Sequence, residues 1–171
     1  ATLAHSSATL VGDRGTGKST LLRHLYQTLD VDKFDVLPFI VASPKLQPGW
    51  LLAGLCRNLN LPMPSDDVTN QAESFVRYLE AHFAKSTRLV IAIDRAECIA
   101  TNEAWNDIDF LLGLTSFSSI SLGLLLIGEP SLKDHIAERP SVEHQIALRA
   151  QLDPLDLNET KEYLDWRGQI S

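Results

Sequence analysis

The sequence has only two cysteines, Cys56 and Cys98, one within a helical pattern and one just after a strand. Two such thiols suit a reducing compartment and exclude a disulfide scaffold. An excess of positive charge is also missing. The net charge of −7 argues against a protein that coats nucleic acid through its overall field. Lys133, Arg139, Arg149 and Arg167 leave a local basic patch open, so nucleic-acid contact is possible but not favoured. No apolar run reaches the length of a membrane span: the best stretch, residues 120–127, is short and contains Ser121 and Gly123. No basic region followed by an apolar one marks a secretory leader. His5, His24, His82, His135 and His144 lack metal-ligand spacing. There is no internal repeat and no low-complexity segment. These absences suit a cytoplasmic domain, and the abrupt ends of the sequence lead us to expect that residues 1–171 are cut from a longer protein, whose own membrane anchoring stays open.

What is present is an ordinary globular composition, 44% hydrophobic and 22% charged, in which one stretch stands out. Gly12-Asp13-Arg14-Gly15-Thr16-Gly17-Lys18-Ser19-Thr20 fits G-x-x-x-x-G-K-[ST], the phosphate-binding loop or Walker A motif. Gly12, Gly15 and Gly17 let the backbone turn and come close to an anion. The N–H groups of residues 15–19 then point at phosphates from the positive end of a helix. Lys18 supplies a charge for the β- and γ-phosphates, and Ser19 a hydroxyl for Mg²⁺. The context is the required one. Ala8 to Val11 reads as a buried strand before the loop, and Leu21, Leu22, Leu25, Tyr26 and Leu29 recur at helical spacing after it. A second motif, Leu89-Val90-Ile91-Ala92-Ile93-Asp94, has five apolar residues and an aspartate, the Walker B pattern. A buried strand delivers its carboxylate to the ligand-binding edge of the sheet. There Asp94 holds Mg²⁺ beside Ser19, directly or through water.

Elsewhere strands alternate with helices. The pattern predicts strands over 36–41, 89–94, 122–127 and 150–152. It predicts helices over 48–59, 70–84, 102–115 and 131–137, and a final one capped by Asn158 and stopped at Gly168. Pro48 falls in the first turn of its helix, and Ser131 is a possible cap. Residues 1–7 lead into the first strand and residues 61–65 form a loop. Pro38 suggests that the second strand lies at an edge or bulges. Trp50, Trp105 and Trp166 sit in helical patterns and mean core or interface. Continuous apolar strands interleaved with helices indicate an α/β fold, a mainly parallel sheet covered on both faces.

Over roughly residues 8–168 the chain resembles the AAA+ ATPase domain of the general-secretion ExeA type, with transposition ATPase subunits as cousins. The carriers are residues 12–20, Ser43-Pro44, Ile93-Asp94-Arg95-Ala96-Glu97, Gly128-Glu129-Pro130-Ser131-Leu132, Ile146 to Arg149, and Leu152 to Leu155 with Glu159-Thr160. The resemblance implies a three-layer αβα P-loop sandwich with most of its helical lid absent. It implies ATP and Mg²⁺ as ligands, Thr16 and Thr20 within the nucleotide loop, and a self-associating or protein-binding domain.

Three departures stand out. The family places a water-polarising glutamate after the Walker B aspartate; here it is Arg95, which cannot accept a proton. Glu129 stands where the family has an amide. Gln145 stands where it has an arginine, leaving Arg149, with Arg139 upstream, to reach a neighbour's γ-phosphate. The resemblance therefore implies an ATP-binding assembly switch with weak or absent hydrolysis, unless Glu97 or Glu129 serves as base. The alternative is a degenerate P-loop scaffold that binds a protein in envelope secretion or cell division, as in domains fused to SPOR modules.

Overall fold

A computed structural model describes residues 7–62, 67–83, 88–115 and 120–170, with the side chains of residues 169 and 170 left aside. His5, the lead-in at residues 1–6, most of the 61–65 loop and Ala84 lie outside the described residues. Five strands, β1 (Ser7–Gly12), β2 (Phe34–Ile40), β3 (Arg88–Asp94), β4 (Leu122–Gly128) and β5 (Ile146–Leu152), form one sheet in the order β2-β3-β4-β1-β5. Every pair is parallel. β2 is an edge strand, which is why Pro38 is tolerated there without costing a ladder bond on both sides.

The helices are α1 (Lys18–Thr28), α2 (Trp50–Asn58), α3 (Val68–His82), α4 (Asn102–Thr115), α5 (Leu132–Ala137), α6 (Pro140–Glu143) and α7 (Leu157–Ile170). Right-handed crossovers send the chain one way from β1 to β2 and the other way at every later step. That puts α1 on one face and α2 to α6 on the other. The helix contacts agree: α2 touches α3 and α4, and α6 touches α4 and α5. The sandwich is therefore three-layered and lopsided. The main core lies between Leu89, Ile91, Ile93, Leu122, Leu124 and Leu126 of the sheet and Leu51, Leu55, Phe75, Leu79, Ile108 and Leu111 of the helices. No residue of α1 is fully buried.

Several helix boundaries depart from the sequence expectation, each for a local reason. α2 begins at Trp50 behind Gly49, so Pro48 precedes the helix. α3 begins earlier, at Val68, because the Asp67 carboxylate accepts the Thr69 N–H at 3.0 Å. Ser131 makes no side-chain cap bond to α5. Asp156, rather than Asn158, caps α7: its carboxylate accepts the Glu159 N–H at 2.8 Å while Glu159 accepts the Asp156 N–H at 2.9 Å. That helix also runs past Gly168. β5 starts four residues ahead of Ala150, since Arg149 and its neighbours on this exposed edge hide the strand pattern.

The first turn of α2 is closed from a distance. Asp107, on α4 and 3% exposed, accepts N–H bonds from Gly49 at 3.1 Å, Leu51 at 2.8 Å and Leu52 at 3.4 Å. Burial pushes its carboxyl above the ordinary carboxylate range, and the three N–H bonds offset only part of that. Asp107→Ala should destabilise the domain by about 3 kcal/mol, since each buried donor left unpaired costs about 1–3 kcal/mol. Because the folded state holds the Asp107 proton more tightly than the unfolded state, its contribution is full below the ordinary carboxylate pKa and declines as pH rises through the folded value. Asp107→Asn removes that titration. Urea unfolding over a pH series from pH 4 upward should therefore show the difference between wild type and Asp107→Asn moving in the variant's favour and levelling off once pH exceeds the folded value.

Candidate functional site

The C-terminal ends of β1, β3 and β4 meet the N-terminus of α1 around one polar cleft of about 690 Å³. Its walls include Gly15, Gly17, Lys18, Ser19 and Thr20 from the glycine loop, Asp94, Arg95, Glu97 and Cys98 from the end of β3, and Glu129 beyond β4. The loop takes its shape from Gly15 and Gly17, at φ 90° and 95°, where a side chain is strained. Gly17 is also the N-cap of α1 and offers no side chain to its first turn. The leading N–H groups of the helix have no intrahelical carbonyl to bond, so they face the cleft as donors for an anion. Gly12 pairs with Leu152 at the base of the loop. Thr16 Oγ donates to the Asp13 carbonyl at 2.9 Å and faces the other flank.

The charged groups converge. The Lys18 ammonium donates to the carbonyls of Gly12 at 2.7 Å and Asp13 at 2.9 Å, folded back over the loop. Ser19 Oγ donates to Asp94 Oδ2 at 2.7 Å, although the two are 75 residues apart in sequence. A hydroxyl and a carboxylate brought together at this end of the loop are hard oxygen ligands, so Ser19 and Asp94 fit a divalent cation such as Mg²⁺. Asp94 is 7% exposed, and its other oxygen accepts the Arg95 N–H at 2.9 Å.

Glu97 lies on a single 3-10 turn, Ala96–Cys98. Its Oε2 accepts the Glu129 N–H at 3.2 Å, and its Oε1 accepts from the Cys98 thiol at 3.7 Å. Gly128 makes room for this: a Cβ there would stand 2.6 Å from Glu97 Oε2. Glu97 thus braces the end of β3 against the end of β4. Arg149 is not part of this cleft. From β5 it donates to the Glu143 carbonyl at 3.0 Å, with its side chain 56% exposed. Arg139 is engaged elsewhere: it bonds Asn102 at 2.7 Å and the His135 carbonyl at 2.6 Å, and stacks on Trp105 with its guanidinium carbon 4.8 Å from the ring centroid. Gln145 donates to the Ser141 carbonyl at 3.2 Å.

A family profile described as an AAA domain matches residues 3–136, most of the chain. The chain belongs to that family. No curated protein sequence matches it. Among solved structures, this AAA domain is similar to the Aeropyrum pernix ORC2 protein with ADPNP and ADP, at TM-score 0.77 and 16% identity over 96% of this chain and 46% of that one. It is similar to Drosophila ORC bound to DNA, at TM-score 0.70 and 18% identity over 95% of this chain and 41% of that one. Cdc6p from Pyrobaculum aerophilum gives TM-score 0.65 and 17% identity over 96% of this chain and 43% of that one. At such identities the likeness is one of fold. The AAA domain spans less than half the length of each of these chains.

Sequence reasoning misses a second cleft. On the other flank of the loop, Arg14, Gly15, Thr16, Gly17, Thr20, Leu21 and His24 face Leu152, Pro154, Leu155 and Tyr163 across about 700 Å³. Its lining is mostly apolar, and it shares Arg14, Gly15, Gly17 and Thr20 with the polar cleft. The only signal for it in the sequence is the Leu152 to Leu155 stretch, apolar residues in a strand-to-helix link.

Proposed function

We propose that this AAA domain binds ATP with Mg²⁺, hydrolyses it slowly, and uses the nucleotide state to control self-assembly. The observation that carries the reading is the convergence of Lys18, Ser19 and Asp94 on one polar cleft, with an apolar cleft opening from the same loop. The loop N–H groups and Lys18 take phosphates, and the apolar flank takes the base. Ser19 and Asp94 hold the cation, which when bound supplies charge neutralisation for the β- and γ-phosphates. Slow hydrolysis is supported by Arg95, which cannot serve as a base, and by the Glu129 N–H held on Glu97. The switch is supported by Arg149, which lies outside its own chain's cleft, more than half exposed and held among the described residues only by Glu143, on a surface a neighbour's nucleotide can reach.

The second reading, a P-loop scaffold that works by contact with a protein, is favoured by α7. Leu157 is 90% exposed, Leu164 62% and Trp166 55%. Its assignment to secretion or cell division rests on the sequence motifs alone. Analytical ultracentrifugation with ADP and with a non-hydrolysable ATP analogue separates the two. The switch predicts larger assemblies with the triphosphate only. Bound nucleotide with no change in sedimentation leaves the scaffold reading standing.

A further inference from the structure

Arg95 is a non-glycine residue in the left-handed region, at φ 61° and ψ 37°. That conformation costs an L-residue roughly 1–2 kcal/mol, and a glycine would take it without penalty. It is held there by its own N–H on Asp94 Oδ1 and by its carbonyl, which accepts the Cys98 N–H at 2.9 Å. The turn delivers the side chain to the wall of the polar cleft that Lys18 and Ser19 also line. Asp94, Glu97 and Glu129 line the same cleft, yet Arg95 makes no ion pair among the described residues. The one side-chain partner of its guanidinium there is the Cys98 sulfur at 3.7 Å, a weak acceptor. A planar fork of N–H donors thus stands in the site with nothing matched to it.

The two clefts fix the direction of a bound nucleotide. The base belongs to the flank with Leu152 and Tyr163, and the loop takes the phosphates between. The end of β3, where Asp94 meets Ser19, lies on the opposite side, beyond the loop. Arg95 therefore faces the distal end of the polyphosphate. We infer that Arg95 selects triphosphate over diphosphate, its guanidinium bonding the terminal phosphoryl oxygens of a nucleoside triphosphate and meeting nothing comparable on a diphosphate. This rests on the nucleotide-binding reading above and adds to it a residue that reads the nucleotide state. It also makes the position after Asp94 a holder of ATP in place of a promoter of its hydrolysis.

The test is equilibrium titration with Mg²⁺ and either a non-hydrolysable ATP analogue or ADP. Wild type, Arg95→Ala and Arg95→Gly are compared, the glycine variant keeping the left-handed turn. Both variants should lose about tenfold in affinity for the triphosphate, the scale of a charge-assisted hydrogen bond at about 1.4 kcal/mol per decade. Affinity for ADP should change by less than about twofold, which also shows that the variants are folded. Equal losses on both nucleotides, no loss on the triphosphate, or a loss in Arg95→Ala that Arg95→Gly lacks would each overturn the inference, the last assigning the effect to the backbone. Wild type that binds neither nucleotide would overturn the nucleotide-binding reading, and this one with it.

Discussion

Lys18→Ala should lower the affinity for Mg·ATP by about tenfold to a hundredfold, the loss of hydrogen bonds from one charged donor at about 1.5–3 kcal/mol. The magnitude is a difference between two states of the lysine. Its ammonium bonds the carbonyls of Gly12 and Asp13 with two of its three N–H donors, which leaves the third for a phosphate oxygen. That bond is the stronger kind, because a phosphate oxygen carries formal charge and a carbonyl does not. The same two bonds are lost in the variant, one part-buried and one exposed, and at about 1 kcal/mol each they add less to stability than the phosphate contact adds to binding. Calorimetry and thermal unfolding should therefore disagree: a large fall in affinity beside a small shift in Tm. Equal ATP affinity in wild type and Lys18→Ala would sink the P-loop reading whatever the geometry.

The second large effect concerns turnover. Absence of a general base costs about 10²- to 10⁴-fold in rate, so wild type should bind Mg·ATP and hydrolyse it slowly. Arg95→Glu should raise the single-turnover rate at saturating protein. Recovery should be partial, because Glu129 and Gln145 still depart from the pattern of the ExeA-type domains that the sequence resembles. Glu97→Gln is the informative companion. Its amide oxygen can still accept the Glu129 N–H, so the brace between the two strand ends survives while the carboxylate is lost. Little change in Glu97→Gln fits a structural Glu97. Fast wild-type turnover that collapses in this variant identifies Glu97 as the base and ends the slow-hydrolysis reading.

The parts of this protein that could be read from the sequence are those in which a few neighbouring residues carry the whole physical requirement. Residues 8–29 spell a strand, a glycine turn and a helix in one continuous segment, and an apolar run ending in Asp94 needs no partner to be recognised. The apolar cleft could not be read in this way. Its walls come from α1 and from the β5–α7 link, joined only by the strand order of the sheet. Asp107 was invisible for the same reason, since the N–H groups it serves are more than fifty residues upstream. β5 was shortened because an edge strand with an open face need not be apolar. For Arg95 the sequence displays the residue type, an arginine directly after the Walker B aspartate, but not the left-handed backbone that carries it. Nothing in residues 93–97 marks that turn, where a glycine would have announced it.

The strand order also sets a timetable for the growing chain. Among the described residues β1 pairs with β4 and β5 alone: Ala8 meets Leu125 and Leu148, each over a hundred residues later in the sequence. β2, β3 and β4 can zip together in order of synthesis, whereas β1 closes the longest loops of the sheet and must wait. Within this domain the phosphate loop is thus made early and is among the last parts to become a binding site. Until residue 128 has emerged, Ala8 to Val11 is an apolar strand with no edge to join, the kind of segment that chaperones hold. On the proposed nucleotide-binding reading, ligand rewards folding only at its final step, acting on the completed sheet and not on the route to it.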